Sequence, residues 1–289
     1  MGCAAVLKRI VVSTLKPTSR APITMKFTIA VVSSLLTTSV VAASGSDYSY
    51  DELKGPLNWY SLDKNSNAAC VHSQFQSPIN IETNHIGYVP EGFLEIDIPE
   101  TNGTVFKNKG TTLEVDLPQG SLKAGNTSYT LSQFHFHTPS EHRVDSQYFP
   151  LEVHFVFQNT AGDTAVVGFL FELSESNGSS PLFHSIFSHV PKIARPGSST
   201  TTGPMDFTAL ADFFESHPVY QYLGSLTTPP CTEGVNWYVS AGYLPLDVRS
   251  YNILKKVIKF NARYTQNQPG GENLLMHEAN ALRGSRFSH

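Results

Sequence analysis

Two short stretches of alternating residues, 133–137 and 152–156, constrain the fold more than any other feature of the 289-residue chain. Together they carry His135, His137 and His154. In an extended strand successive side chains point to opposite faces, so the first two histidines share a face about 6.6 Å apart, at about 3.3 Å per residue. If the two strands lie in one sheet, all three imidazoles can converge on one ion.

Three neutral imidazoles with one open position are typical of a catalytic zinc site, whereas structural zinc sites are closed by four ligands, mostly cysteine. The chain has three cysteines, too few for the closed kind. A lone His-x-His pair is more often an ordinary polar pair on a strand. Gln133 and Glu152 favour the metal interpretation, because each lies two residues before a histidine, on its face, and can accept the hydrogen bond that orients a metal-bound ring.

Alternation of apolar and polar residues recurs along the chain and predicts a fold dominated by strands. Helical spacing is confined to a few places. The sequence therefore predicts a sheet-dominated α+β fold, a single domain with short peripheral helices. The alternating stretches include 94–98, 113–117, 165–171 and 235–241, and helical spacing joins Leu182, Ile186 and Val190, and Tyr251, Leu254, Val257 and Ile258.

Residues 1–43 have the composition of a leader that carries a secretory signal peptide. They contain no acidic residue, and Lys26 precedes an apolar run that ends in small residues at Ala43, which predicts cleavage there and a signal core at about 25–43. A mitochondrial presequence is the alternative. The run is short and rich in Ser and Thr, so no membrane span is expected in the mature protein. Residues 44–270 would form the domain, and the tail at 271–289 has no assignment.

The charge of the mature chain excludes two classes of partner. The whole chain has 20 basic and 24 acidic residues, and removing the leader takes five basic residues, which leaves 15 minus 24, or −9. An acidic protein of this kind is not expected to bind nucleic acid or an anionic membrane surface. Nothing in the sequence sets the oligomeric state.

Several motifs in one order resemble the α-class carbonic anhydrases. They cover about 220 residues and include Gln-Ser-Pro-Ile-Asn-Ile at 76–81, Gln-Phe-His-Phe-His-Thr-Pro-Ser-Glu-His at 133–142, Glu-Val-His at 152–154 and Gly-Ser-Leu-Thr-Thr-Pro-Pro-Cys-Thr-Glu at 224–233. The resemblance implies a large twisted, mainly antiparallel sheet and a Zn²⁺ cofactor. It also implies reversible hydration of CO2 to bicarbonate and a proton by attack of zinc-bound hydroxide. A catalytically inactive relative that acts as a binding module, or a zinc hydrolase of esters, is the alternative.

The resemblance also assigns roles to residues. It makes His135, His137 and His154 the metal ligands, with Gln133, Glu152 and Asn261 as their hydrogen-bond partners. Glu141 and Thr227 would orient the hydroxide, and Thr228 would contact the bound anion. The apolar wall for CO2 would consist of Val156, Val166, Leu226, Val235 and Trp237.

One position departs from the family pattern. Fast members carry a proton-shuttling histidine where this chain has Thr111, a residue that cannot shuttle protons near neutral pH. The hydration step should survive this change, while proton export would need buffer or another route. Tyr50, Glu114 and His85 are candidates, and the sequence does not choose among them.

The resemblance and the predicted secretion also bear on covalent modification. Without the leader, Cys70 and Cys231 remain, and an even pair in a secreted protein is typically a disulfide, as in secreted family members. Asn102, Asn126 and Asn177 begin N-glycosylation triplets. In the family the bonds that match Ser77–Pro78 and Pro229–Pro230 are cis.

Overall fold

The computed structural model describes residues 47–175 and 178–285, and the main element of this part of the chain is one large sheet. The leader, its cleavage site and Asn177 lie outside the described residues. The thirteen strands are β1 (Asn80–Ile81), β2 (Gly87–Tyr88), β3 (Leu94–Asp97), β4 (Val105–Asn108), β5 (Leu113–Asp116), β6 (Ser121–Ala124), β7 (Thr127–His137), β8 (Arg143–Val144), β9 (Leu151–Gln158), β10 (Thr164–Leu173), β11 (Ser199–Thr201), β12 (Val219–Ser225) and β13 (Glu233–Leu246).

Eleven of these strands form a mixed sheet in the order β11-β4-β5-β7-β9-β10-β13-β12-β2, with β6 also on β7 and β3 on β6. Strands β10 and β13 pair in parallel, and the other pairs of this sheet are antiparallel. A separate parallel pair joins β1 to β8. The predicted sheet-dominated fold is confirmed.

The two faces of the sheet have different compositions, as the alternation requires. On β7 and β9, side chains of one parity, among them Phe134 and Phe155, belong to a large aromatic-rich core. The residues of opposite parity include His135 and His154, which lie directly opposite each other in the β7–β9 register. The aromatic core therefore anchors the strands from behind and holds the histidines on the other face.

The helices are short and peripheral. In the first stretch with helical spacing, Leu182 and Ile186 lie in a helix, whereas Val190 begins a 3-10 turn. The second stretch forms a helix as predicted, α5 (Val248–Ile258), and its N-cap is Asp247, whose side chain accepts a hydrogen bond from the Ser250 N–H at 2.8 Å. The unassigned tail contains a helix, α6, whose spacing the sequence prediction did not resolve. The helices are α1 (Trp59–Leu62), α2 (Ala69–His72), α3 (Pro181–Phe187), α4 (Thr208–Glu215), α5 (Val248–Ile258) and α6 (Leu274–Ser285), with 3-10 turns at Glu52–Lys54 and Val190–Ile193.

Two further sequence expectations concern covalent geometry. Cys70 and Cys231 form a disulfide. The Ser77–Pro78 and Pro229–Pro230 bonds are cis, and Thr138–Pro139 is cis as well, which the sequence did not indicate. In the described residues no helix is long and apolar enough to cross a membrane.

Candidate active site

Three imidazoles from two neighbouring strands converge on one point of the sheet. The rings of His135, His137 and His154 have centroid separations of 5.0, 5.3 and 4.6 Å. Each ring offers a nitrogen within 4.8 Å of the corresponding nitrogens of the other two. The strand register explains this, because His135 and His154 are directly opposed and His137 is one pleat further along β7.

One nitrogen of each ring is held by a hydrogen-bond partner. His135 Nδ1 lies 2.9 Å from Gln133 Oε1, and His137 Nδ1 lies 2.7 Å from the backbone oxygen of Asn261. His154 Nε2 lies 2.8 Å from Glu152 Oε1. These acceptors place the ring proton on the bonded nitrogen, so Nε2 of the first two rings and Nδ1 of the third are left with lone pairs.

Burial keeps these histidines in the form that binds metal. It lowers the pKa of His137 to about 4 and the pKa of His135 well below its ordinary value, with the neighbouring imidazoles adding to the effect on His135. Burial also lowers the pKa of His154, against the opposing influence of Glu152. All three rings are therefore neutral at physiological pH.

Glu152 accepts hydrogen bonds at both carboxylate oxygens. Oε1 lies 2.8 Å from His154 Nε2 and 2.6 Å from His142 Nδ1. Oε2 accepts from the backbone N–H groups of Glu141 and His142 at 2.8 and 2.9 Å. Burial raises the pKa of Glu152, but the two histidines outweigh it and hold the pKa well below its usual range. The carboxylate is therefore ionised and fully paired.

Glu141, in contrast, is buried and only half satisfied. Its Oε1 accepts from the Arg263 N–H at 2.8 Å, while Oε2 has no hydrogen-bond partner among the described residues. Burial raises the pKa of Glu141 to about 7, against lowering by His154, the Arg263 N–H and the Thr227 side chain. The Thr227 side chain thus lies close enough to Glu141 to influence the pKa of its carboxyl.

The unpartnered atoms at this point fit a bound cation. Among the residues that the structure describes, His137 Nε2 is buried without a hydrogen-bond partner, and Glu141 Oε2 lies 3.4 Å from it and 3.9 Å from His154 Nδ1. Buried polar atoms are normally paired, so these need an occupant. Three imidazole nitrogens suit a borderline-soft ion such as zinc, whereas magnesium and calcium require oxygen ligands.

A cavity of about 160 Å³ opens beside the histidines. Thr111, Glu114 and Thr228 line it together with Lys109, which forms an ion pair with Glu114 at 3.0 Å. Tyr48 also lines it, a residue that no sequence pattern singled out. The predicted wall residues Val156, Val166, Leu226, Val235 and Trp237 belong to one apolar cluster, and the Trp237 ring lies 4.8 Å from that of His154.

The structure separates the three candidates for proton transfer. Tyr50 and Glu114 line the cavity. His85 is paired with Glu82, its side chain is 79% exposed, and it does not line the cavity. Glu114 lies opposite His135 in the β5–β7 register, which explains why it faces the same cavity.

The fold and the histidine cluster together define a metal-dependent enzyme built on a large mixed sheet. The family model for eukaryotic-type carbonic anhydrases matches residues 54–275. A carbonic anhydrase from Neisseria gonorrhoeae is 33% identical over 232 residues, which cover 79% of this chain and 88% of that protein. One from Pectobacterium atrosepticum is 30% identical, over 87% of this chain and 99% of that protein.

A solved structure of similar fold is the fungal alpha carbonic anhydrase from Aspergillus oryzae. It has a TM-score of 0.79 and 54% sequence identity, and the match covers 80% of this chain and 98% of that chain. The chain therefore belongs to the eukaryotic-type carbonic anhydrase family, and it is a carbonic anhydrase, an enzyme that acts on a small molecule, CO2.

Proposed function

We propose that the protein hydrates CO2 reversibly with Zn²⁺ held by His135 Nε2, His137 Nε2 and His154 Nδ1. The observation that carries this proposal is the arrangement of the rings, each with one nitrogen held by an acceptor and the other turned to a common point. When bound, zinc supplies the Lewis acidity that makes a water molecule nucleophilic near neutral pH. Family membership supports the same assignment.

The chain's own residues then orient the nucleophile and select the substrate. Glu141 Oε2, which has no partner among the described residues, would accept a hydrogen bond from the Thr227 hydroxyl, and the Thr227 oxygen would then accept one from the nucleophile. Thr228, on the cavity wall, contacts the anionic product. The apolar cluster that contains Val156 and Trp237 gives CO2 a dry surface beside His154.

Proton export is the step for which this chain lacks the family's usual residue. Thr111 lines the cavity at the position of the expected histidine, and a threonine hydroxyl has no pKa near 7, so it cannot take up and release a proton as an imidazole does. We therefore assign export to buffer, which takes up the proton in the cavity that Tyr50 and Glu114 line.

We also propose that the protein is secreted. The Cys70–Cys231 disulfide suits an oxidising compartment, and Asn102 and Asn126 are exposed, as glycosylation requires. Mass spectrometry of the protein from its native host tests this: we expect a mature N-terminus close to Ser44 and added glycan mass. An intact leader, or cleavage with a mitochondrial location, would contradict secretion.

Zinc analysis and stopped-flow CO2 hydration on protein expressed from Ser44 test the proposed chemistry. We expect one zinc per chain and hydration activity, and we expect His154→Ala to lose both. The matched control is His184→Ala, since His184 is 65% exposed on α3 and does not line the cavity beside the histidine cluster. Full activity in the His154→Ala protein, or loss of zinc in both variants, would refute the assignment.

A further inference from the structure

A second cavity, of about 480 Å³, is lined in part by Glu141 but by none of the three clustered histidines; we call it the back pocket. It is bordered by the Pro139–Arg143 turn, by residues 56–57 and by residues 260–265. None of its lining residues lines the cavity beside the histidines. Its volume falls within the range of about 300–1,000 Å³ typical of small-molecule sites.

Large apolar side chains stand exposed around the back pocket. Leu57 is 72% exposed, Tyr148 67% and Phe260 50%. They come from three separate segments of the chain and meet at one opening. Exposed apolar side chains that cluster in this way mark a binding site, whereas apolar side chains that are exposed singly are normal on any protein surface. Tyr148 and Phe260 are aromatic, and aromatic rings pack favourably against one another, so an apolar aromatic body complements this opening.

The charged and polar groups of the back pocket indicate the charge of the occupant's polar group. Arg143 is exposed on its wall, and its guanidinium has no ion pair with any residue in 47–175 or 178–285. Two further lining residues, Arg263 and Tyr264, carry buried polar atoms without a partner in the same described ranges, the Nε and the hydroxyl. The acidic lining residue, Glu141, is buried and accepts from the Arg263 N–H. Those two atoms are buried, so the exposed guanidinium of Arg143 is the donor that an occupant can reach, and an anionic group is its complement.

We propose that the back pocket binds small aromatic carboxylates, with the ring against Leu57, Tyr148 and Phe260 and the carboxylate on Arg143. The guanidinium fork matches a carboxylate bidentately, which a neutral amide cannot reproduce. The site is separate from the proposed metal centre, and its occupancy does not require zinc.

Calorimetric titration of the zinc-loaded enzyme with naphthalene-2-carboxylate and naphthalene-2-carboxamide tests this proposal. We expect the carboxylate to bind about fivefold more tightly than the amide. Arg143→Gln should remove that difference, and Tyr148→Ser should weaken both probes. Arg249→Gln, an exposed arginine on α5 outside the pocket, is the matched control and should change neither. Both pocket substitutions are at exposed positions, and equal melting temperatures would show that they fold.

Chelator-treated protein separates the back pocket from the active site, because an anion bound at the metal would be lost with it. We expect carboxylate binding to persist after metal removal. Three results would overturn the proposal: no binding up to about 5 mM, affinity unchanged in Arg143→Gln, or binding that disappears with the zinc.

Discussion

Replacing Glu152 by Gln tests whether this carboxylate sets which nitrogen of His154 carries the proton. Glu152 receives four donors, two ring nitrogens at Oε1 and two backbone N–H groups at Oε2. A glutamine side chain has one accepting oxygen and one donating NH2. The backbone donors cannot change, so the amide oxygen must face them and the NH2 must face the two rings.

That orientation fixes an unfavourable tautomer. To accept from the NH2, His154 Nε2 must lose its proton, which moves to Nδ1, the nitrogen that we assign to the metal. Every hydrogen bond is then satisfied without metal, so the metal-free protein should lose no more than about 1 kcal/mol of unfolding free energy. Metal binding at His154 Nδ1 must move the proton back to Nε2. The buried Nε2–H then faces the glutamine NH2, which is also a donor, at a cost of about 1–3 kcal/mol in binding free energy. Zinc affinity should therefore fall about 10- to 100-fold.

The assay is a competitive chelator titration of zinc, paired with urea unfolding of the metal-free protein. Glu95→Gln is the matched control, because Glu95 is an exposed strand glutamate, paired with Lys123, and should leave both measurements unchanged. A zinc affinity of Glu152→Gln within about threefold of the original would refute the tautomer argument. So would a large loss of metal-free stability with unchanged affinity, since Glu152 would then serve packing alone.

Three further changes probe other parts of the molecule. Val156→Tyr should fill the apolar surface proposed for CO2 and lower kcat/KM at least about tenfold with zinc content unchanged; normal turnover would reject that surface. Turnover of the original chain should rise with added imidazole buffer, and Thr111→His should raise kcat in dilute buffer about tenfold or more; equal rates in both proteins would contradict the missing-shuttle interpretation. Burial raises the pKa of Asp247, but hydrogen bonds from Ser179, Ser250 and His184 outweigh burial and lower it overall. The ionised carboxylate therefore stabilises the fold at pH values above the unfolded-state pKa of about 3.9. This stabilisation is lost as the pH falls toward the lower folded-state pKa. Urea unfolding of Asp247→Asn should therefore show a deficit of about 1 kcal/mol at pH 7 that shrinks at pH 3; a deficit that grows in acid would reverse the sign.

The sheet and the ring cluster could be predicted from the sequence because both depend on alternation. Parity alone places His135 and His137 on one face and Glu152 beside His154, and the structure shows this arrangement with Phe134 and Phe155 on the opposite face. Alternation cannot specify register between strands, however. The direct opposition of His135 and His154 is set by a β-bulge between Leu131 and Gln133, which no local pattern reveals.

The contacts that cross long stretches of sequence were beyond the reach of local reasoning. Asn261 accepts from His137 across 124 positions, and its own side chain donates to the backbone oxygen of Thr111 across 150. Only the family resemblance pointed to Asn261. The burial of Glu141 is similar, since a Pro-Ser-Glu-His turn is typically exposed, and the Arg263 N–H that meets it lies 122 positions away.

The polar groups around Thr111 give its departure from the family pattern a physical context. Glu114, which shares the cavity with Thr111, is held between Lys107 and Lys109 at 3.0 Å from each. Each carboxylate oxygen of Glu114 is thus already engaged by an ammonium group, so neither oxygen is free to receive a proton from the cavity. Glu114 can therefore order water in the cavity but is poorly matched to carry the proton itself. Exogenous buffer, which brings its own pKa, is the better acceptor, and the buffer dependence of turnover is the measurement that separates the two routes.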